Sequence, residues 1–135
     1  MKKYELTEET KHVHGRTLYR IRALRDFAAV KAGDLGGFVE SEKNLSQKEN
    51  AWVFDDAQVS GCAQVYGCAE VSGCAQVYGY ARVYGYAQVS DSAKVSDDAE
   101  VSGYAQVSDS AQVHGNAKVS DDAEIYGYAQ VYGYA

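Results

Sequence analysis

From Ala51 onward the apolar and polar positions repeat every six residues without an insertion. Each unit has a small apolar residue, a polar one, an aliphatic one and three residues of turn character. From Ala57 the units are AQVSGC, AQVYGC, AEVSGC, AQVYGY, ARVYGY and AQVSDS, and the period runs on to Ala135. With Ala51–Asp56 included there are fourteen hexapeptides, with Ala always first and Val always third except for Ile125. The fifth position is Gly nine times and Asp five times. Periodicity this strict marks a solenoid. Val, with Ala two residues before it, supplies the inward side of a short strand. The polar second position (Gln, Glu, Lys or Arg) alternates with Val and points outward. Gly and Asp both tolerate positive φ, which makes the fifth position a turn. Short strands and bends in fixed alternation predict an all-β, polygonal parallel coil. A helix is excluded by glycine at this frequency, and an antiparallel meander by the lack of paired hairpin-turn signals.

The first 50 residues follow another pattern. Residues 1–28 predict a β-hairpin cap: a strand over Lys3–Thr7, a turn near His14–Gly15, and a second strand over Leu18–Arg25. Alternation puts Tyr19, Ile21 and Ala23 on one face and Leu18, Arg20, Arg22 and Leu24 on the other. Residues 29–50 predict an irregular first coil, with Val39, Leu45 and Ala51 at the six-residue spacing. Residues 51–135 are the regular part, and the three segments together make one structural domain. A cap is needed because an open solenoid end exposes unpaired strand edges.

Composition and charge narrow the functional classes. The chain of 135 residues is 46% hydrophobic, which fits one folded domain rather than disorder. It contains no proline, as a laddered β chain requires. No apolar run approaches the roughly 18 residues of a membrane span. The segment Met1–Thr10 lacks the apolar stretch of a secretory signal. With three cysteines, an odd number, the expectation is a cytoplasmic protein with reduced thiols. The net charge of −6 divides unevenly: residues 1–50 hold 10 basic and 8 acidic side chains, residues 51–135 hold 3 and 11. That balance disfavours nucleic acid as a partner.

The hexapeptides of residues 51–135 resemble the hexapeptide-repeat, left-handed parallel β-helix family. Ahead of them, Leu18-Tyr-Arg-Ile-Arg-Ala-Leu-Arg-Asp-Phe27 and Gly33-Asp-Leu-Gly-Gly-Phe38 resemble segments of YdcK-like bacterial and phage-associated hexapeptide proteins. The resemblance implies three hexapeptides per 18-residue coil, hence about 4.7 coils stacked roughly 4.8 Å apart. It also implies left-handed winding, opposite to the general crossover rule.

Stepping by 18 turns the sequence into columns. One corner carries Tyr66, Tyr84, Tyr86 and Tyr104, a candidate surface for a protein partner because tyrosine is an amphipathic anchor. The last coil carries Tyr126, Tyr128, Tyr132 and Tyr134 beside open strand edges, a candidate surface for homo-oligomerisation. Asp55, Asp56, Asp91 and Asp109 share a corner, either as oxygen ligands for a divalent cation or as turn residues in place of Gly. Cys62, Cys68 and Cys74 fall on three different corners of one layer. That separation is too great for a disulfide or a shared zinc, so no metal site is assigned. His12 and His14 form only a weak metal pattern. Arg16, Arg20 and Arg22 make a basic patch on the cap, expected to be solvated rather than phosphate-binding.

Hexapeptide acyltransferases use a histidine near a subunit interface beside a protruding loop. Here His114 stands alone among uninterrupted repeats and no catalytic residue is assigned. The expected function is a non-catalytic interaction or scaffold module that self-associates, binds a protein partner through its tyrosines and needs no cofactor. The resemblance adds a phage or prophage setting in which such a protein inhibits a host factor. The alternative is a hexapeptide-type acyl or nucleotidyl transferase, or a small-ligand binder, acting at a subunit interface.

Overall fold

The computed structural model describes residues 2–134. The chain opens with an antiparallel hairpin of β1 (Tyr4–Val13) and β2 (Arg16–Ala23), followed by β3 (Leu35–Val39) and a 3-10 turn at Glu42–Asn44. Fourteen two-residue strands follow, from β4 (Trp52–Val53) to β17 (Gln130–Val131), one per hexapeptide. Each pairs in parallel with the strand eighteen residues away, so that Gln76–Val77 lies between Gln58–Val59 and Lys94–Val95. Three strands complete one turn, and the result is an all-β parallel solenoid of about five turns with a hairpin at its N-terminal end.

The faces are unequal. One sheet has eight strands because the hairpin and β3 extend it, and the other two have five and four. The interior is the Ala and Val of the repeats: Ala57 to Ala117 and Val59 to Val119 are buried throughout. Turns close the coils as the sequence predicts. All fourteen fifth positions have positive φ, 56–58° at the aspartates and 64–72° at the glycines. The aspartates add a staple. Oδ2 of Asp55, Asp91, Asp97 and Asp109 accepts the backbone N–H of the residue one coil on, at 3.0–3.1 Å.

The N-terminal half departs from its predicted form in three ways. First, the inward residues of the first coil are Val39, Leu45 and Val53, stacked on Val59, Val65 and Val71. Ala51 holds the first position of its hexapeptide, and the gap between Leu45 and Val53 is eight residues, not six. The two extra residues form a loop that serves the cap. Second, alternation along β2 is broken. Ile21 and Ala23 face the core, but a register irregularity between Arg20 and Arg22 leaves Tyr19 half-buried and buries Leu18 on the other side. Third, β1 runs to Val13, well past Thr7. Its turn is His14–Gly15, with φ of 51° and 78°, the pair of positive values that a two-residue hairpin requires.

The cap closes over Trp52, the one second position that is not polar. Its ring is buried edge-on beneath Phe27 and Tyr4, with centroids 5.2 and 6.0 Å away. Next to them Lys3 is fully buried. Its Nζ donates to the carbonyls of Ala51, Lys48 and Glu49 at 2.6, 3.4 and 3.5 Å and lies 5.0 Å over the Phe27 ring. Burial, and then the charge of Arg25, pull its pKa from 10.5 down to about 8. Between those values the unfolded chain binds more protons than the folded one, so raising the pH stabilises the fold. The full difference is worth about 3 kcal/mol, and about 2 kcal/mol of it appears between about pH 7.5 and pH 9.5. Tyr4, whose hydroxyl burial pushes up from 10.0, opposes this only above pH 10. Urea unfolding at the two pH values is expected to show the gain in the native sequence and not in Lys3→Met. An equal pH response in both would contradict it.

Candidate interaction surface

The corner that follows the four-stranded face carries the first group of tyrosines. Val65 and Val83 are paired one coil apart, so the residues after them, Tyr66 and Tyr84, are held in register by the backbone ladder. Their rings stack at 4.9 Å between centroids and 4° between planes. Tyr86 and Tyr104 repeat the arrangement at 5.1 Å and 5°. The two stacks flank the turn glycines Gly67, Gly85 and Gly103, where a Cβ on Gly85 would stand 3.0 Å from the nitrogen of Gly103. The chain between the stacks is therefore bare, close-packed backbone. Tyr66 and Tyr84 are half-buried, while Tyr86 and Tyr104 are 56% and 62% exposed.

The environment fixes the phenols without removing them from solvent. Tyr84 Oη donates to Glu100 Oε1 at 3.2 Å. The Tyr66 hydroxyl is raised above its usual pKa by burial and then by its neighbour Tyr84. Tyr86 and Tyr104 present ring edges and hydroxyls to solvent beside the half-buried Tyr66 and Tyr84. This is a pre-ordered surface: the rings are positioned by ladders that form with the fold, so binding immobilises little further.

The last coil distributes its tyrosines over two corners. Tyr126 and Tyr128 flank Gly127 on one, and Tyr132 and Tyr134 flank Gly133 on another. Tyr128 and Tyr134 are the most exposed aromatics among the described residues, at 88% and 90%. Tyr132 stacks on His114 at 5.3 Å, and His114 Nδ1 lies 3.9 Å from Asp97 Oδ2. That carboxylate oxygen is already the acceptor for Gly115 N–H, so the histidine is part of a corner ladder. The strands Lys118–Val119, Glu124–Ile125 and Gln130–Val131 end their three sheets.

Other predicted features resolve into structural contacts. The three cysteines are free and sit on three corners, where their N–H groups bond Gly79, Gly85 and Asp91 of the next coil. Asp55, Asp91 and Asp109 are turn residues, and Asp56 binds Arg20. Among the described residues no three His, Cys, Asp or Glu side chains converge as a metal would need. His12 faces Thr17 across the hairpin. The arginines of the cap pair internally rather than forming a patch. Arg16 binds Glu40 at 2.9 Å, Arg22 binds Glu5, and Arg20 binds Glu9 and Asp56 at 2.8 and 3.0 Å while lying over the Phe38 ring.

Two features have little or no precedent in the linear pattern. One is the burial of Lys3 beneath the cap, where it bonds the carbonyl of Ala51. Its only sequence signal is Trp52, whose place at an outward position called for a cover. The other is a groove of about 700 Å³ where the hairpin tip leans over the face of the eight-stranded sheet.

Fold and surface together define a parallel β-solenoid with a hairpin cap and aromatic corners. No protein-family model matches the chain, and comparison with curated proteins returns no match. No helix among the described residues is long and apolar enough to cross a membrane.

Proposed function

We propose that the protein is a non-catalytic interaction module that works in the cytoplasm and binds a protein partner through Tyr66, Tyr84, Tyr86 and Tyr104. The observation that carries this reading is the pair of parallel phenol stacks on one corner. A convex edge of ordered tyrosines matches the chemistry of protein–protein hot spots, in which a few aromatic residues contribute most of the affinity. It offers no enclosed space for a small substrate. Resemblance to the YdcK-like hexapeptide proteins suggests the setting, a phage or prophage protein that acts on a host factor.

Substituting serine at all four tyrosines strips the corner and leaves the Ala–Val interior in place. In capture from a lysate of the source cell, one protein retained by the native chain is expected to be lost with this variant. It should stay bound to a control variant with serine at Gln88 and Gln106 on another face. Identical retained proteins in all three would overturn the reading.

The same module self-associates through its last described coil, where Tyr126, Tyr128, Tyr132 and Tyr134 border strands that, among the described residues, have a neighbour on one side. Sedimentation velocity at high micromolar concentration is expected to give a dimer or larger species. A single monomer boundary there would contradict it.

A further inference from the structure

The groove beneath the hairpin tip is lined on one side by Val13 and Leu18 of the hairpin. Its floor is the outer face of the long sheet, where Gln58, Gln76 and Lys94 stand in register one coil apart. The far side is the corner that bears Tyr78 and Tyr80, which are 38% and 66% exposed. Its volume falls within the range of small-molecule sites, which extends to about 1,000 Å³.

Charge selects the occupant. The chain carries 19 acidic side chains and a net −6, yet among the described residues no carboxylate is part of the groove lining, and Glu40 beside it is engaged by Arg16 and the N–H of Gly61. Two cations do, Arg16 and Lys94. The Arg16 guanidinium is committed to Glu40 at 2.9 Å. Lys94 forms no salt bridge among the described residues, and its neighbours in the ladder are the neutral Gln76 and Gln112. It is one of only three basic residues in the repeats. A free ammonium on an amide floor between an aliphatic wall and a pair of phenols suits one class of ligand. That ligand has an aromatic body, which packs between Val13 and Tyr78, and one anionic group for Lys94.

We propose that this groove is a binding site for a small aromatic organic anion, with Lys94 as the anchor for its charge. The site lies on a different face and corner from the Tyr66–Tyr104 surface, and the two functions are independent.

8-Anilinonaphthalene-1-sulfonate is the probe, a fluorescent aromatic anion, titrated into the folded full-length chain. The expected result is saturable binding at one site per chain. Lys94→Glu should weaken it at least about tenfold, since charge reversal converts attraction into repulsion. Gln76→Trp should abolish it by filling the floor. Both positions face outward, so thermal unfolding should show both variants as stable as the native chain. Serine at Tyr86 and Tyr104 should leave the affinity unchanged, which separates the groove from the corner stacks. Binding that does not saturate would overturn the proposal. So would an affinity indifferent to both Lys94→Glu and Gln76→Trp, or one lost with the Tyr86 and Tyr104 variant.

Discussion

Gly37→Ala is expected to destabilise the fold by at least about 3 kcal/mol, at the upper end of what overpacking costs. A methyl at this position would stand 2.4 Å from the carbonyl oxygen of Ala57 and 2.6 Å from Cγ1 of Val53. Neither neighbour can move aside. The Ala57 carbonyl accepts the N–H of Phe38 at 2.9 Å, and Val53 is fully buried in the first coil. Relief requires β3 to separate from the solenoid, which unpairs Phe38 and Val39 from Gln58 and Val59. The midpoint of thermal unfolding should fall by about 10 °C or more. Gly15→Ala is the comparison. There φ is +78° but nothing lies within 4 Å, so only backbone strain of about 1 kcal/mol applies. If Gly37→Ala melts no lower than Gly15→Ala, β3 does not approach the coil as described.

Asn44→Ala comes second, with an expected loss of about 3 kcal/mol from buried groups left without partners. Asn44 is fully buried and uses its whole amide. Oδ1 accepts the N–H groups of Glu40 and Ser41 at 3.0 and 2.8 Å, and Nδ2 donates to the carbonyls of Gly61 and Ala63 at 3.2 and 2.9 Å. The side chain thus substitutes for strand pairing where the 3-10 turn interrupts the ladder. Asn44→Asp keeps the size and the two acceptor bonds but sets a carboxylate oxygen against two carbonyls. It is therefore expected to fail as badly as alanine at neutral pH. Stability restored by aspartate in denaturant titrations would show that Asn44 merely fills space.

The regular part of the fold was legible because each hexapeptide states its own geometry. Ala and Val mark the inside, and the fifth residue marks the turn. Even the double identity of that fifth position carries information, since aspartate at positive φ also bonds the next coil. The cap was legible only in outline. The His14–Gly15 turn could be placed, but β1 continues through the polar run Glu8–His12, where the register shifts after Leu6 and pairing resumes at Thr10 without burial. The six-residue count failed at Leu45 because the loop up to Val53 is shaped by Lys3, a contact 48 residues away along the chain. The tyrosine corner needed only the 18-residue step to be found. The groove needed the lean of the hairpin, which no local pattern encodes, and Lys94 looks like any other outward polar residue until Val13 and Leu18 are set opposite it.

The most direct test of the interaction surface is photo-crosslinking in the source cell. p-Benzoyl-phenylalanine, an aromatic of similar shape to tyrosine, is placed singly at Tyr86, at Tyr104 and, for comparison, at Gln106 on another face. Illumination should join one and the same protein to the chain from positions 86 and 104 and not from 106. No adduct at the corner, or the same adducts from all three positions, would contradict it.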